Sequence, residues 1–124
     1  MAKKKYAIGV DMGASFTKIG LVDENGNISN ETELSTTDYK TPKNFVDALA
    51  LQVQLIAGIA PGEVSGVGIG APNANYHSGA INNSANLPWK EYFPLRDMLM
   101  EAIDMPVKIT NDAKAAAQGE LLFG

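Results

Sequence analysis

The chain has 124 residues, 45% of them hydrophobic and 19% charged, the balance of one globular domain with a core rather than a disordered tail. Ten Lys and Arg against fourteen Asp and Glu leave a net charge of −4, which excludes a broad basic surface for nucleic acid. With no cysteine and a single histidine, disulfide frameworks, thiolate metal sites and HExxH zinc sites are excluded as well.

The opening Met-Ala-Lys-Lys-Lys leads into an apolar run that Asp11 cuts at once, too short for the h-region of a signal peptide. No apolar run approaches the roughly 18–20 residues that cross a bilayer. The expectation is a soluble, cytoplasmic protein with no membrane partner.

Tyr6 to Val10 reads as a strand, and Ser15 to Val22 as a second one after a tight connection centred on Gly13. Asn25-Gly26 then predicts a hairpin turn with both central residues at positive φ. Ile28 to Leu34 follows as a polar edge strand. A helix starts at Pro42, capped by Thr41, with Phe45, Leu49, Val53 and Ile56 on one face and Gly58 as its stop. Val64 to Ala71 is an apolar strand whose glycines leave bare backbone for a close approach. Residues 72–88, rich in Asn, Pro and Gly, predict a long functional loop. Pro94 opens a helix with Leu95, Met98, Leu99, Ala102 and Ile103 at helical spacing. Val107 to Thr110 is a short strand, and Asn111-Asp112 starts an alanine-rich helix to about Leu122. The order βββαβαβα predicts an α/β domain with a mixed five-stranded sheet and helices on its faces.

Gly66-Val67-Gly68-Ile69-Gly70 has its third glycine one residue too early for a dinucleotide fingerprint, and no GxxxxGK[ST] loop exists. Asp11 to Lys18 is the better phosphate candidate. A turn of small residues (Gly13, Ala14, Ser15) can aim successive N–H groups at an anion, Ser15 and Thr17 add hydroxyls, and Lys18 adds a mobile positive charge. Asp11 at a strand end can hold Mg²⁺ directly or through water; the alternative is an ordinary hairpin whose Asp bonds local amides. Asn111-Asp112 offers a fixed carboxylate that accepts a hydroxyl proton during phosphoryl transfer, or simply a helix N-cap. The loop with Asn73, Asn75, His77, Asn82, Asn83 and Asn86 carries amides that both donate and accept, as a polyol requires, though asparagines are also ordinary loop residues. His77 reads as an exposed turn residue, and Trp89 as a packing anchor before a sugar platform. Asp11, Ala71-Pro72-Asn73 and Asn111-Asp112 each follow a predicted strand, so one cleft at the strand carboxyl ends can gather them.

The runs Gly9 to Lys18, Gly68 to Pro72, Asn86 to Trp89 and Asn111 to Glu120, in that order, resemble the ROK family of bacterial sugar kinases and repressors, its glucokinases especially. The resemblance implies the N-terminal lobe of an actin-like, ribonuclease-H-like sugar kinase using ATP and Mg²⁺. It places Asp11, Gly13, Ala14, Ser15, Thr17 and Lys18 at the ATP phosphates, with Asp11 toward the metal. Asp112 is implied as the base on the 6-hydroxyl of a hexose, glucose first, and Asn73, Ala74, Asn86 and Asn111 as sugar contacts. Ala14 and Ser15 stand where the family usually has glycine and threonine, Asn73 where it has glycine, and Lys114 where asparagine is common. The family continues into a second lobe with a zinc motif and the adenosine site, so the expectation is an isolated lobe without turnover, prone to self-association through uncovered apolar surface. The rival expectations are a sugar-sensing repressor of the same family, a non-catalytic actin-like assembly module and an amino-sugar kinase. The repressor reading expects a DNA-binding helical segment before the first strand, whereas the strand is expected within a few residues of Met1; with the net charge of −4, direct DNA binding is not expected.

Overall fold

The computed structural model describes residues 4–71, 78–81, 89 and 93–110. Their order is β1 (Lys5–Met12), β2 (Phe16–Asp23), β3 (Ile28–Ser35), a 3₁₀ turn (Thr36–Asp38), α1 (Pro42–Ile59), β4 (Glu63–Gly70), α2 (Leu95–Ala102) and β5 (Val107–Thr110). One five-stranded sheet runs β3-β2-β1-β4-β5. β1 pairs antiparallel with β2 and parallel with β4, which is itself parallel to β5. The mixed sheet expected from the sequence is therefore present; the expected last helix and most of the loop at 72–88 lie outside the described residues.

Alternation along the strands divides the sheet into two faces. Tyr6, Ile8, Val10 and Met12 of β1, Ile19 and Leu21 of β2, Val67 and Ile69 of β4, and Val107 and Ile109 of β5 enter one core. α1 covers them with Phe45, Leu49, Val53 and Ile56, and α2 with Leu95 and Leu99. Each such fully buried side chain is worth about 1.5–3 kcal/mol. Trp89 joins this core, its ring 5.1 Å from that of Phe45 and 5.4 Å from that of Phe93. Its indole N–H donates to the Tyr39 carbonyl at 2.9 Å. Trp89 is a packing anchor, as its sequence context suggested.

α1 begins as its sequence requires: the Thr41 hydroxyl accepts the Asn44 N–H at 3.1 Å, and Pro42 occupies the first turn. Its end differs from expectation. Gly58 lies inside the helix, which runs to Ile59 and stops at Ala60, extended at φ −63° and ψ 135°. Ala60 precedes Pro61, whose ring disfavours helical geometry in the residue before it.

The β2–β3 turn also differs. Gly26 is at φ 84°, but Asn25 is not at positive φ. The loop is instead held by Asp23, whose carboxylate accepts the N–H groups of Asn25 and Asn27, each at 2.9 Å. A bulge follows: Ile19 pairs with Thr32 and Leu21 with Ser29, leaving Asn30 at φ 52° as the bulge residue opposite Gly20.

Segment 78–81 is tied to α2. Gly79, at φ 69°, accepts the Arg96 N–H at 3.0 Å, and Ile81 bridges to Phe93.

Candidate functional site

β1, β4 and β5 run in one direction, so their carboxyl ends share an edge of the sheet. Register decides which residues stand side by side there. Glu33, Lys18, Asp11, Gly70 and Thr110 are successive partners across β3, β2, β1, β4 and β5. With strands about 4.8 Å apart, Asp11 and Thr110 are about 10 Å from each other. Gly70 leaves bare backbone between them. The next row on the same face, two residues inward, is Gly20, Gly9, Gly68 and Lys108, so glycines line this face while their neighbours Val67 and Ile69 fill the core on the other.

Asp11 and Lys18 are both exposed and stand opposite each other on the face away from α1. Among the described residues neither makes a side-chain hydrogen bond or an ion pair. A carboxylate with no partner among the described residues suits Mg²⁺, which binds through one or two carboxylates and completes its octahedron with water and phosphate oxygens. Among the described residues no cluster of three or more acidic, His or Cys side chains competes as a metal site.

The β1–β2 turn sits beside this row. The Gly13 N–H closes it on the Phe16 carbonyl at 2.9 Å, and a Cβ on Gly13 would meet that oxygen at 2.7 Å, so the position takes no side chain without a shift. Gly13 and Ala14 are half-buried and Ser15 is exposed. The N–H groups of Ala14 and Ser15 make no hydrogen bond among the described residues, which leaves them for an anion.

Thr17 is placed otherwise than expected. It is fully buried, and its hydroxyl lies 2.8 Å from that of Thr36, the other buried polar residue among those described. The Thr36 hydroxyl donates to the Gly13 carbonyl at 3.0 Å, and the Thr36 N–H donates to the Ser15 carbonyl at 2.9 Å. Thr17 thus braces the turn from inside instead of offering its hydroxyl at the surface, because its alternation places it on the core face with Ile19. Sequence reading missed Thr36. The pairing starts with Val22 opposite Ile28, and the bulge at Asn30 shifts it by one residue to Phe16 opposite Ser35, which is what brings Thr36 next to Ser15.

Asn73, Ala74, His77, Asn86, Asn111 and Asp112 lie outside the described residues. Ala71, the residue after β4, is buried, its N–H bonded to the Thr110 carbonyl at 2.9 Å, and Asn111 follows Thr110 directly in the chain.

The sheet order and the polar carboxyl-end row define a domain of the actin-like ATPase class, and comparison with known proteins agrees. A ROK glucokinase from Streptomyces griseus, solved in complex with glucose and AMPPNP, superposes with a TM-score of 0.75 at 33% identity, over 96% of this chain and 37% of that one. The ROK family model matches residues 7–124, and the chain belongs to the ROK family. A glucokinase from Streptomyces coelicolor is 38% identical over 119 residues, covering 94% of this chain and 36% of that protein. A xylose repressor from Caldicellulosiruptor bescii is 30% identical over 122 residues, covering 94% of this chain and 30% of the repressor. The chain therefore spans about a third of the length of the curated relatives it matches. No helix among the described residues is long and apolar enough to cross a membrane.

Proposed function

We propose that this chain is the N-terminal lobe of an ATP-dependent sugar kinase that transfers the ATP γ-phosphate to the 6-hydroxyl of a hexose, glucose first. The observation that carries this reading is the row Lys18–Asp11–Gly70–Thr110 beside a turn whose Ala14 and Ser15 N–H groups have no acceptor among the described residues, continued in sequence by Asn111-Asp112. The two glucokinases add support. Lys18 and the N–H groups of Ala14 and Ser15 hold the phosphates. Asp11, with water and phosphate oxygens, is the residue that holds Mg²⁺, whose charge offsets that of the phosphates.

Asp112 takes the proton of the sugar hydroxyl as that oxygen bonds to the γ-phosphorus and the bond to the β-phosphate oxygen breaks, releasing ADP. A carboxylate with a low ground-state pKa serves, since the alcohol becomes acidic only as the new bond forms. Asn73, Ala74, Asn86 and Asn111 hold the remaining hydroxyls. Such an enzyme draws on cytoplasmic ATP. The 124-residue chain alone is without turnover, because the wall that encloses the substrates and excludes water belongs to the second lobe.

The test is Asp112→Asn in the full-length protein. Turnover should fall by about 10²–10⁴-fold while the circular dichroism spectrum and glucose binding persist; unchanged turnover would rule out the assignment. Glucose, N-acetylglucosamine and N-acetylmannosamine assayed side by side decide the sugar. The similarity to the xylose repressor favours a second reading as a sugar sensor. Sugar-dependent binding of DNA by the full-length protein, with no sugar phosphate formed, would select it.

A further inference from the structure

We infer that Thr36 is a positioning residue for the phosphate turn: its hydroxyl, by binding the Gly13 carbonyl, aims the Ala14 N–H at the ATP phosphates. The inference deepens the kinase reading and rests on it.

The hydroxyl pair has one consistent proton arrangement. A hydroxyl has a single proton to give, and that of Thr36 goes to the Gly13 carbonyl at 3.0 Å. The 2.8 Å contact between the two threonines is then Thr17 donating to Thr36. The relay runs from β2, through the residue after β3, to the turn, and both of its side chains are fully buried.

Its effect on the turn follows from peptide geometry. In a planar trans peptide the carbonyl and the following N–H point in opposite directions. Thr36 lies on the core side with Thr17 and pulls the Gly13 carbonyl toward it. The Ala14 N–H of the same peptide must then point the other way, toward the face that carries Asp11 and Lys18. That N–H has no acceptor among the described residues. The bond from the Thr36 N–H to the Ser15 carbonyl at 2.9 Å fixes the far end of the turn. Ala14 carries a Cβ that a glycine would lack, so a fixed peptide orientation matters here: the Cβ leaves fewer conformations that present the N–H.

The test uses the full-length kinase and four proteins: wild type, Thr36→Val, Thr36→Ser, and the double variant Thr17→Val/Thr36→Val. Thr36→Val strands the Thr17 hydroxyl as well as the Gly13 carbonyl and risks the fold; the double variant replaces both hydroxyls with apolar groups of the same shape, so only the Gly13 carbonyl loses its donor and the cost to stability is smaller. In the double variant the KM for MgATP and the Kd for AMPPNP should rise about tenfold or more, the loss of one hydrogen bond to a charged ligand. The KM for glucose should stay within about twofold. Thr36→Ser, which keeps the hydroxyl, should restore ATP affinity to near wild type. A folded double variant with wild-type affinity for AMPPNP would overturn the positioning role, as would equal losses for ATP and glucose. A wild-type protein that binds AMPPNP but phosphorylates no sugar would instead sink the kinase reading, and the AMPPNP affinities would still decide the role of Thr36.

Discussion

Asp23 shows how much one side chain can organise. Its carboxylate accepts two backbone N–H groups and, at 3.2 Å, the amide of Asn27, and these bonds, the Asn27 N–H first, hold its pKa below the ordinary 3.8. A carboxylate with a lowered folded-state pKa contributes stability that is fully present above the unfolded value and lost as pH falls through the folded one. We therefore expect Asp23→Ala to lower the denaturant midpoint at pH 7, and the gap between variant and wild type to close as the pH drops below 3.8. Paired urea titrations across that range check this; a gap that persists in acid would mean the carboxylate's charge is irrelevant to the turn. Asn25-Gly26 marked the turn's place in the sequence, but its type was hidden: Asp23 offered a second way to satisfy the same N–H groups, and only one residue needed positive φ.

At the scale of elements, periodicity made α1 and the strands legible because burial on one side leaves a repeating pattern of apolar residues. The ends were less legible. Thr41 announced the start of α1 and does cap it, so Thr41→Ala should cost about 1 kcal/mol and lower the thermal midpoint by several degrees in calorimetry; a midpoint equal to wild type would mean the cap contributes nothing. Gly58 looked like the stop and is not, since Pro61 already forbids a further helical residue at Ala60. Of the candidate site, Asp11, Gly13, Ala14, Ser15 and Lys18 stood out in the sequence as one small-residue run, whereas the burial of Thr17 did not. Thr36 did not either, because its role comes from β3 meeting β2, a pairing distant in sequence.

Across the whole molecule, α1 is half sunk and half bare. Leu49 is fully buried, whereas Leu51, Leu55 and Ile59 are 54%, 56% and 62% exposed along the opposite side. Leu49→Ala should cost about 2–5 kcal/mol, the range for emptying a packed core position. Leu55→Ala should stay within about 0.5 kcal/mol, as surface changes do. Equal costs in chemical denaturation would show that the outer side of α1 is packed after all.

The central position of β1 has a consequence for the chain as it leaves the ribosome. Its partner on one side, β2, emerges right behind it, but Val10 must wait for Ile69 to fill the other side. Until then a nascent chain carries a finished hairpin with one edge of open amides and carbonyls, able to recruit any passing strand. Slow decoding before β4 would lengthen that exposure.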